Sequence, residues 1–429
     1  MKTLYNHQQR ALDKLPSTGG YLAFEQGLGK TLTAIAYANR WDYYKVLVVA
    51  PAVALGVWQR ELEEEGHKVL MPQGTRKDKA DVIRAYDGDY WTVINYEVLL
   101  EPEVERAIEK ANYDLIVVDE AHKIKNATAK RSKVLHRLGR QLPSLLLSGT
   151  PITKNLLDLY SQYKVIDPNI WNGNSWTKFK QFWGIWGGYG GYELIGYRDA
   201  EGLKDRIAPY TVVARKEDTL DLPEKTHTIV PVDLGKSSLS YREMALTGVS
   251  GEWVTSNPLE KALRLAQITS AAKIDATVAW AEDMMEMDEP VVIYARFLDS
   301  LFEIGRRLNV MPLHGGTPQS TRTDMVRNFQ GGANPVFLAQ ITAGSVGITL
   351  TRASHMWYND LSFAYEDWAQ SQDRIHRIGQ EYPVNYYYAT AVGPRGGRTI
   401  DHLVYEAVQR KDDVAGYITR NPDLLLELE

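Results

Sequence analysis

Short apolar runs alternate with longer amphipathic segments along much of the chain, and this alternation predicts the secondary structure. In the first 150 residues the apolar runs have the length of buried strands, and segments with helical periodicity separate them. We predict strands at residues 20–24, 45–50, 92–95, 115–119 and 145–148, and helices at 31–40, 57–65, 77–86 and 128–138. Buried strands separated by helices are typical of a parallel α/β sheet.

The same alternation returns after residue 290. There we predict strands at 291–295, 310–313, 336–340, 355–359 and 385–390, and helices at 298–308, 321–329, 365–378 and 399–411. The chain is therefore expected to form two α/β lobes. Lobe 1 is assigned to residues 1–225, with a helical and aromatic insertion at 156–225. Lobe 2 is assigned to residues 226–429, with a brace helix and tail at 398–429.

The insertion contains an aromatic segment at residues 171–192, and two interpretations of it stay open. The rings can stack on nucleic-acid bases, or they can form a small aromatic subcore. The second interpretation is the more common one and is favoured here. The aromatic residues are Trp171, Trp176, Phe179, Phe182, Trp183, Trp186, Tyr189 and Tyr192.

Composition narrows the class of protein. The 429 residues are 44% apolar and 24% charged, as in an ordinary globular chain of two or three domains. With no cysteine, disulfides, iron–sulfur clusters and thiol nucleophiles are excluded. The net charge of -5 gives no global attraction to nucleic acid, so any such contact needs a local basic patch. No signal peptide or membrane span is visible, so we expect a soluble intracellular protein that contacts no membrane. The compactness of the chain favours a bacterial or viral source.

A phosphate-binding loop is the first candidate site. It follows a predicted strand and opens a predicted helix, so backbone N–H groups and the helix N-terminus can face an anion. Phe24 occupies the position of the first glycine in the full pattern. Lys30 would reach the β- and γ-phosphates, and Thr31 would offer its hydroxyl to Mg²⁺. The loop residues are Gly27, Leu28, Gly29, Lys30 and Thr31.

An acidic pair ends the predicted strand at 115–119. We expect Asp119 to hold Mg²⁺ together with Thr31, and Glu120 to orient and deprotonate the attacking water. The alternative role of such a pair is a helix N-cap, which the preceding phosphate loop makes less favoured. Hydroxyls after the next strand can couple hydrolysis to movement. The coupling candidates are His122, Ser148 and Thr150, together with Gln370.

Two arginines mark the second lobe. Arg374 and Arg377 are three residues apart on a predicted helix, so they share one face. Guanidinium groups so placed can stabilise a transferring phosphoryl group. Surface salt bridges are the alternative for an isolated pair. The neighbouring glutamines and an upstream glycine loop favour the catalytic interpretation, and Gly347 of this loop is expected beside the nucleotide.

These segments resemble, in order, the motifs of superfamily 2 helicase-type motors, and in detail those of the Snf2 family of double-stranded DNA translocases. The resemblance extends from about residue 4 to 413, and the Asp-Arg-x-His-Arg-Ile-Gly-Gln string is its most specific part. The matching segments are residues 4–8 (entry motif), 24–31 (motif I), 49–51 with Trp58 (motif Ia), 92–96 (motif Ib), 119–122 (motif II), 148–151 (motif III), 292–297 (motif IV) with the loop at 313–316, 343–348 (motif V), 373–380 (motif VI) and the brace at 399–413.

The resemblance implies two RecA-like lobes with parallel sheets, an ATP cleft between them, ATP and Mg²⁺ as cofactors, and Gln8 as the residue that reads adenine. It implies nucleic-acid contacts from motifs Ia, Ib, IV and V, which grip phosphates without reading sequence. The contact residues expected on this basis are Pro51, Asn95, Tyr96, Arg296, His314, Gly315, Thr342 and Gly344.

A basic run at residues 121–157 contains no Asp or Glu. It can form a phosphate-contacting stripe that includes Lys123 and Lys125, or it can be a solvated helix face; both interpretations stay open. The other basic residues in the run are Lys130, Arg131, Lys133, Arg137, Arg140 and Lys154.

The function implied by the resemblance is ATP-driven movement on double-stranded DNA, with remodelling, branch migration or annealing as outcomes. Double-stranded DNA is the expected partner, and single-stranded DNA or RNA are the alternatives; no protein partner is indicated. One rival function is a DEAH-type helicase that unwinds RNA or DNA. The other is a nucleic-acid clamp or scaffold that binds ATP without productive turnover.

Overall fold

The computed structural model describes residues 2–152, 155–191, 193–219, 223–344, 348–377 and 379–410, together with Val414, Ile418 and Leu425. It divides into two compact units, residues 1–220 and 221–429. This boundary lies five residues before the one expected at 225/226, and the assignment of the insertion and brace stays a prediction. No helix in the described parts of the chain is both long and apolar enough to cross a membrane.

Unit 1 contains nine strands and eleven helices among its described residues. The strands are Gly19–Phe24 (β1), Lys45–Ala50 (β2), Val69–Leu70 (β3), Tyr90–Asn95 (β4), Leu115–Asp119 (β5), Ser144–Leu147 (β6), Gly184–Gly187 (β7), Glu193–Tyr197 (β8) and Thr211–Ala214 (β9). The helices are Asn6–Lys14 (α1), Lys30–Arg40 (α2), Leu55–Glu64 (α3), Arg76–Ala85 (α4), Tyr96–Leu99 (α5), Pro102–Lys110 (α6), Lys130–Leu138 (α7), Leu159–Ile166 (α8), Trp176–Trp183 (α9), Ala200–Ile207 (α10) and Lys216–Thr219 (α11).

The main sheet of unit 1 is seven-stranded, in the order β3-β4-β2-β5-β6-β1-β9, and all its pairings are parallel. Its strands are buried on both faces. In β2, Leu47 and Val49 pack into one core and Val46 and Val48 into the other. This explains the unbroken apolar runs of the sequence, because each face is covered by helices. The parallel α/β prediction is confirmed.

Several strands of unit 1 were not predicted, namely β3, β7, β8 and β9. Strand β9 joins the sheet edge beside β1, with Tyr21 opposite Thr211. A four-residue strand at the end of an insertion carries too short a pattern to be recognised alone. Strands β7 and β8 form a separate antiparallel hairpin.

The aromatic segment forms a subcore, as the favoured interpretation predicted. Phe179 is 0% exposed and its ring contacts those of Trp171, Trp176 and Tyr160 at centroid distances of 4.7, 6.0 and 4.9 Å. Phe182 instead points outward and is 60% exposed. Tyr192 and the side chain of Tyr189 lie outside the described residues.

Unit 2 contains seven strands and eight helices among its described residues. The strands are Lys225–Asp233 (β10), Val249–Ser250 (β11), Trp253–Val254 (β12), Val291–Ala295 (β13), Val336–Gln340 (β14), His355–Tyr358 (β15) and Val384–Val392 (β16). The helices are Ser238–Thr247 (α12), Pro258–Ala272 (α13), Ile274–Glu286 (α14), Leu298–Leu308 (α15), Gln319–Gln330 (α16), Ile341–Gly344 (α17), Tyr365–Gln372 (α18) and Ile400–Gln409 (α19).

The main sheet of unit 2 has the order β10-β16-β15-β13-β14, again with parallel pairings. Two predictions were wrong here. No strand forms at 310–313, where only Leu313 makes a single bridge to Ala339. The helix predicted to 378 ends at Gln372, and turns follow to residue 377. The predicted brace helix corresponds to α19, which begins at Ile400.

The protonation of His136 is expected to make the stability of unit 1 depend on pH. Its Nε2 lies 2.9 Å from the carbonyl oxygen of Ser161. Burial is the main cause that lowers the pKa of His136 from 6.5 to about 4. Between these values the unfolded chain binds a proton that the folded chain does not, so the free energy of unfolding falls as pH falls.

In His136→Gln this contribution is absent. We therefore expect the free energy of unfolding of wild type, relative to the variant, to drop by on the order of 2 kcal/mol from neutral pH to about pH 4. Urea unfolding of both proteins across this range measures the difference. If the free energy of unfolding changed with pH equally in both proteins, His136 would not be the source of the pH dependence.

Candidate active site

The phosphate loop connects β1 to α2. Gly27 and Gly29 have φ angles of 84° and 70°, in the left-handed region that glycine adopts without steric cost. Gly29 is the N-cap of α2, so the first N–H groups of that helix are available to an anion. The ammonium of Lys30 donates to the carbonyl oxygen of Phe24 at 3.0 Å. Phe24 is the last residue of β1, its φ is not positive and its ring is buried in the core, so this position does not require a glycine.

Helix α1 supports the loop from behind. The Nε2 of His7 lies 2.9 Å from the carbonyl oxygen of Leu28, and the amide of Gln8 donates to the carbonyl oxygen of Gly29 at 3.2 Å. The Gln8 side-chain oxygen accepts from the N–H of Tyr5 at 2.8 Å. The adenine contact expected of Gln8 stays a prediction, since its amide here bonds to the loop. His7 was missed because one histidine in a polar helix carries no recognisable signal.

Gly29→Ala is expected to weaken ATP binding. An added Cβ would lie 2.4 Å from the Nε2 of Gln8, so the amide would have to leave the loop. The left-handed backbone adds a cost of about 1–2 kcal/mol for alanine. We expect about a tenfold loss of affinity for a fluorescent ATP analogue.

Gly66→Ala is the matched control for this change. Gly66 also has a left-handed φ, of +85°, but no atom lies within 4 Å of its added Cβ. It therefore carries the backbone cost without displacing a neighbour. Equal ATP affinities in the two variants would contradict the proposed support of the loop by Gln8.

Asp119 and Glu120 lie at the carboxyl end of β5. One carboxylate oxygen of Asp119 accepts the indole N–H of Trp58 at 2.9 Å, and the other accepts the backbone N–H of Glu120 at 2.9 Å. Burial, followed by the neighbouring Glu120 carboxylate, raises the pKa of Asp119 to about 6, while the Trp58 N–H and Lys30 act in the opposite direction. Asp119 is therefore a partly buried carboxylate held in a fixed orientation by two hydrogen bonds.

Glu120 adopts a left-handed backbone, with φ 49°, immediately after the strand. Its carboxylate oxygen lies 3.2 Å from Nδ1 of His122, and the same nitrogen lies 3.1 Å from Oγ of Ser148. The Ser148 hydroxyl also accepts the N–H of Thr150 at 3.1 Å. The structure thus brings together three predicted coupling residues and the predicted base, and links motif II to motif III.

The donor set of this site fits Mg²⁺ bound with ATP. Thr31 offers a hydroxyl and Asp119 a carboxylate, the hard oxygen ligands that Mg²⁺ takes. Among the described residues no group of three or more His, Asp or Glu side chains could hold a metal alone.

The two arginines of motif VI lie in the turns after α18, not on the predicted helix. Arg374 and Arg377 nevertheless face the same point, because one guanidinium nitrogen of each lies 3.4 Å from the carbonyl oxygen of Ile348. Arg374 also donates through Nε to the carbonyl oxygen of Gln370 at 2.9 Å. Gly347, expected beside the nucleotide, lies outside the described residues.

The residues expected to contact nucleic acid from motifs Ia and Ib have other partners. Pro51 precedes the short 3₁₀ helix at Ala52–Ala54 and is partly exposed. The side chain of Asn95 caps α5 by accepting the N–H of Val98 at 2.8 Å. Tyr96 is only 2% exposed and donates its hydroxyl to the carbonyl oxygen of Asp119. The Tyr96 ring is therefore buried against motif II, and the nucleic-acid contact expected at this position stays a prediction.

The corresponding residues of unit 2 are more accessible. Arg296 is partly buried with its guanidinium 3.8 Å from the ring centre of Phe363, and burial lowers its pKa. The Nδ1 of His314 accepts the N–H of Gly316 at 3.1 Å. The remaining predicted positions are Gly315, whose N–H donates to Gln340 Oε1, the exposed Thr342, and Gly344 at the end of α17.

The basic run is partly neutralised by its neighbours. Lys123 is exposed and Lys125 partly buried. Arg137 forms ion pairs with Glu105 and Glu109 of α6. Both interpretations of the run stay open, and Lys154 lies outside the described residues.

Comparison with known proteins identifies both halves of the chain. Residues 4–276 match the model of the SNF2-related domain, and residues 272–379 match that of the helicase conserved C-terminal domain. Among curated proteins, the chain is 30% identical over 431 residues to a Caenorhabditis elegans SWI/SNF-related matrix-associated actin-dependent regulator of chromatin subfamily A-like protein 1 homolog. It is 28% identical over 430 residues to the Mus musculus DNA annealing helicase and endonuclease ZRANB3.

These alignments cover 94% and 92% of this chain, but only 59% and 38% of the two relatives. Among solved structures, the Sulfolobus solfataricus SWI2/SNF2 ATPase core in complex with dsDNA matches with a TM-score of 0.46 and 24% identity. That alignment covers 100% of this chain and 97% of the other.

Proposed function

Because the chain belongs to the SNF2-related family of helicase-like ATPases, we propose that it hydrolyses ATP in order to move along double-stranded DNA. Remodelling, branch migration and strand annealing are the outcomes that such movement can have. A relative described as a DNA annealing helicase supports this choice of outcome. The chain spans only part of that relative, so the proposal concerns the motor activity.

Nucleotide binding would rest on the loop between β1 and α2. Lys30 and the backbone N–H groups of the loop would bind the phosphates, and Gln8 would hold both the loop and adenine. Thr31 and Asp119 would hold Mg²⁺, which neutralises charge on the phosphates when it is bound.

Hydrolysis would depend on Glu120. Its carboxylate would orient the attacking water and accept its proton. Arg374 and Arg377 would stabilise the negative charge of the transferring phosphoryl group, as guanidinium groups do in related chemistry.

One observation carries the proposal of a motor over that of a passive clamp. The chain of contacts from Glu120 through His122 to Ser148 joins the predicted base to the next strand of the sheet. A protein that only bound ATP would need phosphate contacts, but it would not need its water-activating carboxylate tied to a neighbouring motif. This network supports turnover coupled to movement.

Strand separation is a second candidate function. The observation in its favour is the β7–β8 hairpin, which sequence reasoning did not anticipate. Beside it, Phe182 is 60% exposed, and on it Ile195 is 63% exposed. Exposed apolar side chains on a hairpin can separate paired bases.

ATPase assays with duplex DNA, single-stranded DNA, RNA and no nucleic acid test the proposal. We expect duplex DNA to stimulate hydrolysis most, and Lys30→Ala to remove the activity in every assay. Stimulation by RNA or single strands, with none by duplex DNA, would favour the unwinding helicase. ATP binding without hydrolysis in every assay would favour the clamp.

A further inference from the structure

Two buried aromatic side chains, one from motif Ia and one from motif Ib, donate hydrogen bonds to Asp119. The indole N–H of Trp58 donates to the Asp119 carboxylate at 2.9 Å. The hydroxyl of Tyr96 donates to the backbone carbonyl oxygen of the same residue at 2.6 Å. Trp58 is 1% exposed and Tyr96 is 2% exposed, so neither ring is available to a polymer at the surface.

Trp58 and Tyr96 each lie shortly after the carboxyl end of a strand, where the chain leaves the sheet. Trp58 lies in the first turn of α3, after Pro51 and the short helix at Ala52–Ala54. Tyr96 is the first residue of α5, whose N-cap is the Asn95 side chain. In the sheet, Ala50 is paired with Asn95. Both loops therefore leave the carboxyl edge of the sheet, where β2 lies next to β5, the strand that carries Asp119, and β4 lies one strand further away.

We propose that Trp58 and Tyr96 are positioning residues that transmit contact with the DNA backbone, at the loops after β2 and β4, to Asp119. This inference rests on the proposed function, since it supplies the route by which bound DNA would change ATP hydrolysis. The two rings act through Asp119 and touch neither DNA nor nucleotide.

The contacts suit such a role physically. Hydrogen bonds to a charged carboxylate are stronger than neutral ones, and both donors are fixed by close packing. The loops cannot shift without moving rings that are bonded to both the carboxylate and the main chain of Asp119. Coupling of this kind is reciprocal, so bound nucleotide must change DNA affinity by the same route.

Trp58→Phe and Tyr96→Phe test the inference because each removes the donor. Tyr96→Phe keeps the ring, whereas Trp58→Phe also replaces the indole by a smaller phenyl ring, so its control must carry the same loss of volume. Trp91→Phe is the control for the first: Trp91 is 1% exposed, stacks on Trp58, and its N–H has no partner among the described residues. Tyr113→Phe is the control for the second, since the Tyr113 hydroxyl donates to Thr92 at 2.7 Å in the same buried region.

Three quantities are measured for each variant. They are the duplex DNA dissociation constant without nucleotide, the same constant with Mg²⁺ and a non-hydrolysable ATP analogue, and the ratio of DNA-stimulated to basal ATPase rate. In Trp58→Phe and Tyr96→Phe we expect the dissociation constant for duplex DNA without nucleotide to stay within about twofold of the wild-type value. The nucleotide-dependent change in DNA affinity and the stimulation ratio should each fall by about tenfold. The controls should match wild type.

Unchanged coupling and stimulation in both variants would overturn the inference. So would an equal loss of DNA affinity without nucleotide, because that result would indicate direct DNA contact. Thermal unfolding identifies a folding defect. Because the two variants alter separate helices, a variant that fails to fold is set aside and the other one decides the outcome. A wild type that does not respond to DNA would overturn the proposed function as well, which separates the two failures.

Discussion

Replacing Glu120 by glutamine is expected to abolish ATP turnover while ATP binding persists. The amide keeps the size of the side chain but cannot accept a proton from the attacking water. General base catalysis contributes about 10²–10⁴-fold to such reactions, so we expect the turnover rate to fall by about a thousandfold. The phosphate contacts of Lys30 and the loop are unaltered, and the dissociation constant for a fluorescent ATP analogue should change little.

Glu97→Gln is the matched control, because Glu97 is an exposed carboxylate on α5 of the same unit. It should keep wild-type turnover. If Glu120→Gln hydrolysed ATP at the wild-type rate, Glu120 would not be the base, and the interpretation of the network through His122 and Ser148 would be wrong.

Replacing Arg377 by alanine is expected to produce a loss of similar or greater size. Arginines that stabilise a transferring phosphoryl group contribute about 10³–10⁵-fold to the rate. Arg377 is preferred to Arg374 for this test because Arg374 is 6% exposed and also bonds to Gln370, so its removal would disturb folding more. We expect the turnover rate at saturating ATP to fall by about a thousandfold.

Arg306→Ala controls for the loss of a positive charge in unit 2. Arg306 lies on α15, its side chain is 70% exposed, and it pairs with Glu303. Arg377→Lys adds a second comparison, since it keeps the charge but loses the planar fork of donors. Normal hydrolysis by Arg377→Ala would remove Arg377 from the catalytic group.

The sequence determined the central strands well because their signal is local. The predicted bounds of β2, β5, β13 and β14 match the structure, since each is a run of apolar side chains buried on both faces. Strand β9 was not predicted because it depends on pairing with β1, far away in the chain. The predicted strand at 310–313 failed because the sheet edge beside β14 accepts only Leu313.

The site was predictable to the extent that its motifs are contiguous. Gly29, Lys30 and the acidic pair are short local patterns with a known chemistry. The contacts of Asp119 with Trp58 and Tyr96 join residues that are 61 and 23 positions apart, and no local pattern reveals them. Tyr96 was expected at the nucleic acid because of its place in motif Ib, and the burial of its ring at motif II could not be recognised from the local pattern.

Displacement of a third strand from a triplex tests the central claim most directly. A fluorescent oligonucleotide bound in the major groove of duplex DNA is released only when a motor moves along the duplex. We predict release by wild type that requires ATP and is absent in Glu120→Gln. Vigorous ATP hydrolysis on the same duplex without any release, or release by Glu120→Gln, would contradict translocation on double-stranded DNA.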